Sequence, residues 1–162
     1  MVIKEMLPEY WESVKKIYEL GIDTGIATFE LKATEWEEWN KNHLPHSRLV
    51  CLIDDRVAGW IAISAISIRS VYRGVAETSV YIQPAFKGMG IGIVLMEHLI
   101  KESEKNGIWT LQATIFEENK ASIRLHEKSG FRKVGYREKI GQLNGVWHNT
   151  ILFERRRKIV VA

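Results

Sequence analysis

Apolar residues recur at changing intervals along the chain, and each change of interval marks a new element. Val2–Met6 reads as a short strand. Behind it Trp11, Val14, Ile17 and Tyr18 return at helical spacing as far as about Leu20. Pro8 suits the first turn of that helix, where its missing N–H removes no bond. A loop, Gly21–Glu30, follows. Thr34 with Glu37 has the capping-box pattern and predicts a second helix through Trp36 and Trp39 to about Asn42. Arg48–Ile53 and Val57–Ile66 are rich in branched apolar residues. Around the turn Asp54-Asp55-Arg56 they read as a β-hairpin.

The second half alternates differently. Val75–Ile82 is a strand stopped by Pro84, and a helix from about Gly90 to Lys105 turns Ile91, Val94, Leu95 and Leu99 to one side. Asn106-Gly107 ends it, and Trp109–Ile115 is again a strand. Asn119 suits the N-cap of a short helix that Gly130 closes, with Phe131 set for the apolar contact beyond the cap. Phe131–Ile140 and Val146–Arg155 make a final hairpin around Asn144-Gly145. The order is mixed α and β, with no repeat or linker, so one domain over residues 1–162 is expected, with a tail from about residue 156.

Composition narrows the class without naming a function. The 162 residues are 46% hydrophobic and 27% charged, which suits a packed globular chain rather than a disordered one. The net charge of +3 is mild, and part of it sits in Arg155–Lys158, so nucleic acid is not the expected partner. A single cysteine excludes an internal disulfide or a multi-cysteine metal cluster. No signal peptide or membrane-spanning run is visible, and a cytoplasmic protein without a metal is expected. Cys51 lies in an apolar strand and reads as a buried thiol.

Chemistry gathers at Lys87-Gly88-Met89-Gly90-Ile91-Gly92, where a strand end runs through three alternate glycines straight into a helix. Glycines permit positive φ and close approach of backbone to a ligand. The unpaired N–H groups of a helix start carry the positive end of its dipole and suit phosphate oxygens. Two other phosphate loops do not fit. The dinucleotide fingerprint needs a third glycine where Ile93 or Leu95 stands, and no Gly-Lys-Ser/Thr follows.

These residues resemble the GNAT acetyltransferase superfamily, whose acyl-CoA loop reads Gln/Arg-x-x-Gly-x-Gly/Ala between a strand end and a helix. Lys87 stands where that loop usually has Gln or Arg, keeping a donor without the planar fork. The second landmark, Asn followed by a short helix ending in Gly-Phe, matches Asn119 to Phe131. Thr28-Phe29-Glu30, Glu77-Thr78-Ser79-Val80-Tyr81-Ile82, Trp147-His148 and His126, where most of the superfamily has Tyr, are similar to the phosphinothricin and methionine sulfoximine acetyltransferases. Asn149 stands where that subgroup often has Asp. The resemblance reaches to about Arg155. It implies a twisted, mixed but mostly antiparallel sheet flanked by helices, an α/β (α+β) fold. It also implies acetyl-CoA as cosubstrate, direct transfer to a small-molecule amine, and a homodimer.

Site residues follow from pattern and resemblance together. Glu77 and Ser79 share one face of their strand while Val80 and Ile82 share the other. The subgroup implies Glu77 as the base that frees the acceptor amine; otherwise it is a solvated strand carboxylate. Cofactor contacts implied are Val80, Tyr81, Ile82, the turn Lys87 to Gly92, Ile93, Asn119 and Lys128. Asn119 is an N-cap, a hydrogen-bond partner of pantetheine, or both. The resemblance sets His126 near the CoA sulfur, to donate a proton or hold a water; otherwise it is a satisfied histidine on a helix face. Acceptor contacts expected are Phe29, Glu30, Arg69, Tyr72, Arg73, Trp147 and His148, with Trp60 as a further wall. Arg69 and Arg73 either pair with a substrate carboxylate or form a solvated basic loop. Two other readings stay open: a protein N-terminus or polyamine as acceptor, and a non-catalytic module that binds CoA or nucleic acid.

Overall fold

The computed structural model describes residues 1–158, so the last residues of the expected tail lie outside it. Seven strands form one sheet: β1 (Val2–Glu5), β2 (Leu49–Ile53), β3 (Arg56–Ala65), β4 (Val75–Ile82), β5 (Thr110–Phe116), β6 (Arg132–Leu143) and β7 (Val146–Arg156). Their order is β1-β2-β3-β4-β5-β7-β6, and every neighbouring pair is antiparallel except β4 and β5. Helices α1 (Trp11–Asp23) and α2 (Trp36–Asn42) cover one face, and α3 (Ile91–Lys105) and α4 (Lys120–Lys128) the other. The expected fold class is the one observed.

Strand alternation divides the core in two. Ala76, Val80 and Ile82 of β4 pack with Ile91, Leu95, Met96 and Leu99 of α3. Met96, rather than Val94, completes the buried stripe of α3. On the opposite face Trp11, Val14, Ile17, Trp39 and Trp60 form a second cluster. Trp60 is fully buried there, stacked on Tyr81 at 5.0 Å. It is a core residue and not the pocket wall expected from the sequence. Cys51 is buried in β2, and burial pushes its thiol up.

The turns carry the geometry their residues predict. Asp54-Asp55 and Asn144-Gly145 have positive φ at both central positions, as two-residue hairpins require. Helix α4 closes through Gly130, with Gly130 N–H on Glu127 O at 3.1 Å and Phe131 N–H on His126 O at 3.0 Å. The start of α2 departs from expectation. Its N-cap is Glu35, without a side-chain cap, because that carboxylate pairs with Lys15 of α1 at 2.6 Å. Arg48 is not in β2 either. Its guanidinium satisfies carbonyls at the end of α2, donating to Asn40 O at 3.0 Å and His43 O at 3.1 Å.

Candidate active site

The parallel rungs between β4 and β5 run from Val75↔Thr110 to Glu77↔Gln112 and stop there. Beyond them β4 stays on β3 and β5 on β7, so the two strands splay into a wedge. A cleft of about 910 Å³ opens in it, walled by β4, β5, α3, α4 and the α1–α2 loop. Successive N–H groups of a strand point to opposite edges, so β4 offers the cleft the backbone groups that β3 does not take.

One end of the cleft is the glycine turn. Gly88 has φ +82° and Gly90 φ +77°, and a Cβ on either would meet no atom within 4 Å. Side chains are therefore absent on the side where a ligand approaches. The first helical bond of α3 is Val94 N–H on Gly90 O at 3.3 Å, so the N–H groups of Ile91, Gly92 and Ile93 precede it. Lys87, Lys120, Arg124 and Lys128 line the same cleft. The last three recur every four residues along one side of α4. Only Lys128 of them was expected from the sequence, although that spacing was there to be read. Met89 is exposed and does not line the cleft. Backbone donors and cations together give this end a positive field.

The other end is aromatic and acidic. Phe29 packs on Phe116 at 4.5 Å, with His148 behind both, 6.2 Å from Phe29 and 4.7 Å from Phe116. A Cβ on Gly141 of β6 would sit 2.9 Å from the Phe29 ring, so that glycine makes room for it. Glu30 and Glu118 line this part of the cleft, and His148 Nδ1 lies 3.4 Å from Glu118 Oε2. Asn149 turns its amide to Glu117 at 2.8 Å and accepts from Lys139 N–H at 2.8 Å. Phe116 and Glu118 were not expected from the sequence; only the pairing of β5 with β7 brings them here.

Four expected acceptor contacts stand elsewhere, and His148, behind the aromatic wall, does not line the cleft either. Arg69, Tyr72 and Arg73 lie in the β3–β4 connection and do not line the cleft. The Arg73 guanidinium donates to Ser70 O at 3.1 Å and lies over the Trp109 ring, while Arg69 lies over Tyr72. Trp147 is 54% exposed and also lies outside the cleft lining.

Between the ends, Glu77 sits at the last rung, and Ser79 and Tyr81 follow on its face of β4. Burial pushes the phenols of Tyr81 and its neighbour Tyr18 up, that of Tyr18 to about 12, so both remain neutral donors. His126 is 2% exposed, and burial holds its imidazole below the usual range. Its Nδ1 lies 2.8 Å from Ser122 O, which can only accept, so Nδ1 carries the proton. Nε2 then keeps its lone pair and lies 3.2 Å from Thr78 Oγ1. Asn119 is the N-cap of α4, accepting from Ser122 N–H at 3.2 Å, and it also lines the cleft.

A family model described as "Acetyltransferase (GNAT) family" matches residues 7–131. The chain belongs to the GNAT acetyltransferase family. A phosphinothricin N-acetyltransferase of Alcaligenes faecalis is 32% identical over 152 residues, spanning 88% of this GNAT chain and 76% of that protein. An L-methionine sulfoximine/L-methionine sulfone acetyltransferase of Pseudomonas aeruginosa is 37% identical over 76 residues, 47% of this chain and 44% of its own. The crystal structure of a GNAT phosphinothricin acetyltransferase from Sinorhizobium meliloti, in complex with acetyl-CoA, superposes with a TM-score of 0.87. It shares 26% identity and covers 96% of this chain and 87% of that one. As a GNAT acetyltransferase the chain is an enzyme, and the two landmarks read in its sequence open α3 and α4, which both line one cleft. Among the described residues no cluster of histidine, cysteine or carboxylate side chains fits a metal ion. No helix there is long and apolar enough to cross a membrane.

Proposed function

We propose that this enzyme transfers acetyl from acetyl-CoA directly to the α-amine of a small amino-acid-like acceptor of the phosphinothricin or methionine sulfoximine type. The observation that carries the reading is the position of Glu77, a carboxylate at the rung where β4 leaves β5, between the glycine end and the aromatic end. Acetyl-CoA fits the glycine end, with its pyrophosphate on the N–H groups of Gly88 to Ile93 and its pantetheine along the free edge of β4. A β4 N–H then polarises the thioester carbonyl. The acceptor ammonium gives a proton to Glu77, directly or through one water. The freed amine attacks the carbonyl carbon, the tetrahedral adduct collapses with loss of the C–S bond, and the proton that leaves the adduct nitrogen ends on the thiolate, giving the amide and free CoA thiol. No enzyme nucleophile is needed, and Cys51 is sealed in the core.

The names of the relatives support the acceptor class. A second reading, a diamine or polyamine, is favoured by the three carboxylates Glu30, Glu77 and Glu118 in the cleft and by Arg69 and Arg73 standing outside it. The homodimer belongs to the same proposal, with the exposed apolar side chains Tyr136, Ile140, Val146 and Trp147 standing on the outer hairpin β6–β7. Thiol release from acetyl-CoA, measured with phosphinothricin, methionine sulfoximine, spermidine and an N-terminal peptide, tests the reading. Preference for either amino-acid analogue upholds it. Preference for spermidine supports the second reading, and preference for the peptide rejects both.

A further inference from the structure

Thr78 is the first residue of β4 beyond the last parallel rung, and its side chain points to the α4 wall of the cleft. Its hydroxyl lies 3.4 Å from Gln112 O of β5 and 3.2 Å from His126 Nε2 of α4. The chain of contacts runs on through the His126 ring to Ser122 O, and from Ser122 N–H to the capping carboxamide of Asn119. The Phe131 ring closes the far side of His126 edge-on at 4.9 Å. From β4 the group facing the imidazole is Thr78. From α4 it is Ser122, and from the segment after α4 it is Phe131; none of these is charged.

The proton count decides what this pair does. A neutral imidazole that gives its one N–H to a carbonyl has only a lone pair to offer at Nε2. Thr78 has one hydroxyl proton, and that lone pair is its nearer acceptor. With its proton on Nδ1 the imidazole holds a hydroxyl at the apex of the wedge through the Nε2 lone pair.

We propose that Thr78 is a positioning residue for acetyl transfer, tying the splayed end of β4 to α4 through His126 and so fixing the width of the cleft where the thioester lies. The proposal rests on the acetyl-transfer reading above. Thr78→Val, which keeps the shape and removes the hydroxyl, should lower kcat at least tenfold with a much smaller change in the acceptor KM. Thr78→Ser should recover most of the rate. His126→Gln keeps an acceptor and should lose less than His126→Phe, and Thr78→Val combined with His126→Phe should be no slower than the worse single variant. The pH profile of kcat should keep the same shape in His126→Gln as in the natural enzyme. Circular dichroism reports whether each variant is folded. If Thr78→Val does not fold, the glutamine–phenylalanine contrast at His126 decides. A folded Thr78→Val at the natural rate overturns the proposal, and so does a limb of the pH profile that vanishes in His126→Gln, which would make His126 the acid. If the natural enzyme releases no thiol with any amine, the acetyl-transfer reading itself fails.

Discussion

The two ends of the cleft are held in place by different forces. At the glycine end the determinants are mainly backbone: two glycines at positive φ with open space where a Cβ would sit, and three N–H groups ahead of the first helical bond, joined by the cations Lys87, Lys120, Arg124 and Lys128. At the aromatic end they are side chains from three separate segments, with room made for one of them by a glycine of a fourth. Phe29 comes from the α1–α2 loop, Phe116 from β5, Gly141 from β6 and His148 from β7. A backbone site binds what every acyl-CoA shares. A side-chain site can be re-cut without disturbing the fold, and on the proposed reading it is the end that would set acceptor choice.

The sharpest way to test this division is at its boundary. Glu77→Gln should lower kcat/KM about 10²-fold near neutral pH, within the range of general-base catalysis. The loss should shrink as pH rises and more of the amine is free unaided. Activity at the natural level at pH 7 would make Glu77 a bystander.

A smaller effect should separate the ends further. Phe29→Ala removes one aromatic wall, a change worth about 1 kcal/mol and so roughly fivefold in the acceptor KM, with the acetyl-CoA KM nearly unmoved. Gly141→Ala should act in the same direction, because its methyl group would displace the same ring. Equal effects of either variant on both KM values would mean that the ends are not independent.

The smallest effect is on stability. His126 is buried and His43 half-buried, and burial is the main cause that holds both imidazoles below 6.5, opposed in each by a backbone carbonyl that accepts from the ring. Below that pH the unfolded chain takes up protons that the folded one refuses, so the unfolding free energy should fall as pH drops from 7 to 5. Urea midpoints at pH 7.5 and 5.5 measure it, and His126→Gln should reduce the difference. A midpoint that rises on acidification would contradict the neutral state of both rings.

What the sequence made legible follows the same division. The turn at Lys87–Gly92, the cap at Asn119 and the closure at Gly130 are local, and each is spelled in consecutive residues whose backbone demands are known. Glu77 was legible through strand alternation together with a family pattern. The partners of Phe29 were not, because they depend on which strands pair and on the path of an irregular loop. Arg69 and Arg73 were read either as partners of a substrate carboxylate or as a solvated basic loop. The β3–β4 connection instead carries Arg73 over Trp109, the residue just ahead of β5. The capping box at Thr34 did not form: the N-cap of α2 is Glu35, one residue on, and no side chain caps it.

One binding experiment bears on the division most directly. Acetyl-CoA is titrated calorimetrically into the natural enzyme, Gly90→Val and Glu77→Gln. Valine at Gly90 puts a β-branched side chain at a left-handed position, over the backbone that the pyrophosphate needs. The affinity of that variant, folded by circular dichroism, should fall more than tenfold, or over ~1.4 kcal/mol. Glu77→Gln should bind acetyl-CoA within about twofold of the natural enzyme, a difference well below ~1.4 kcal/mol. Unchanged affinity in Gly90→Val, or a matching loss in Glu77→Gln, would contradict a cleft whose glycine end holds the cofactor and whose other end serves the acceptor.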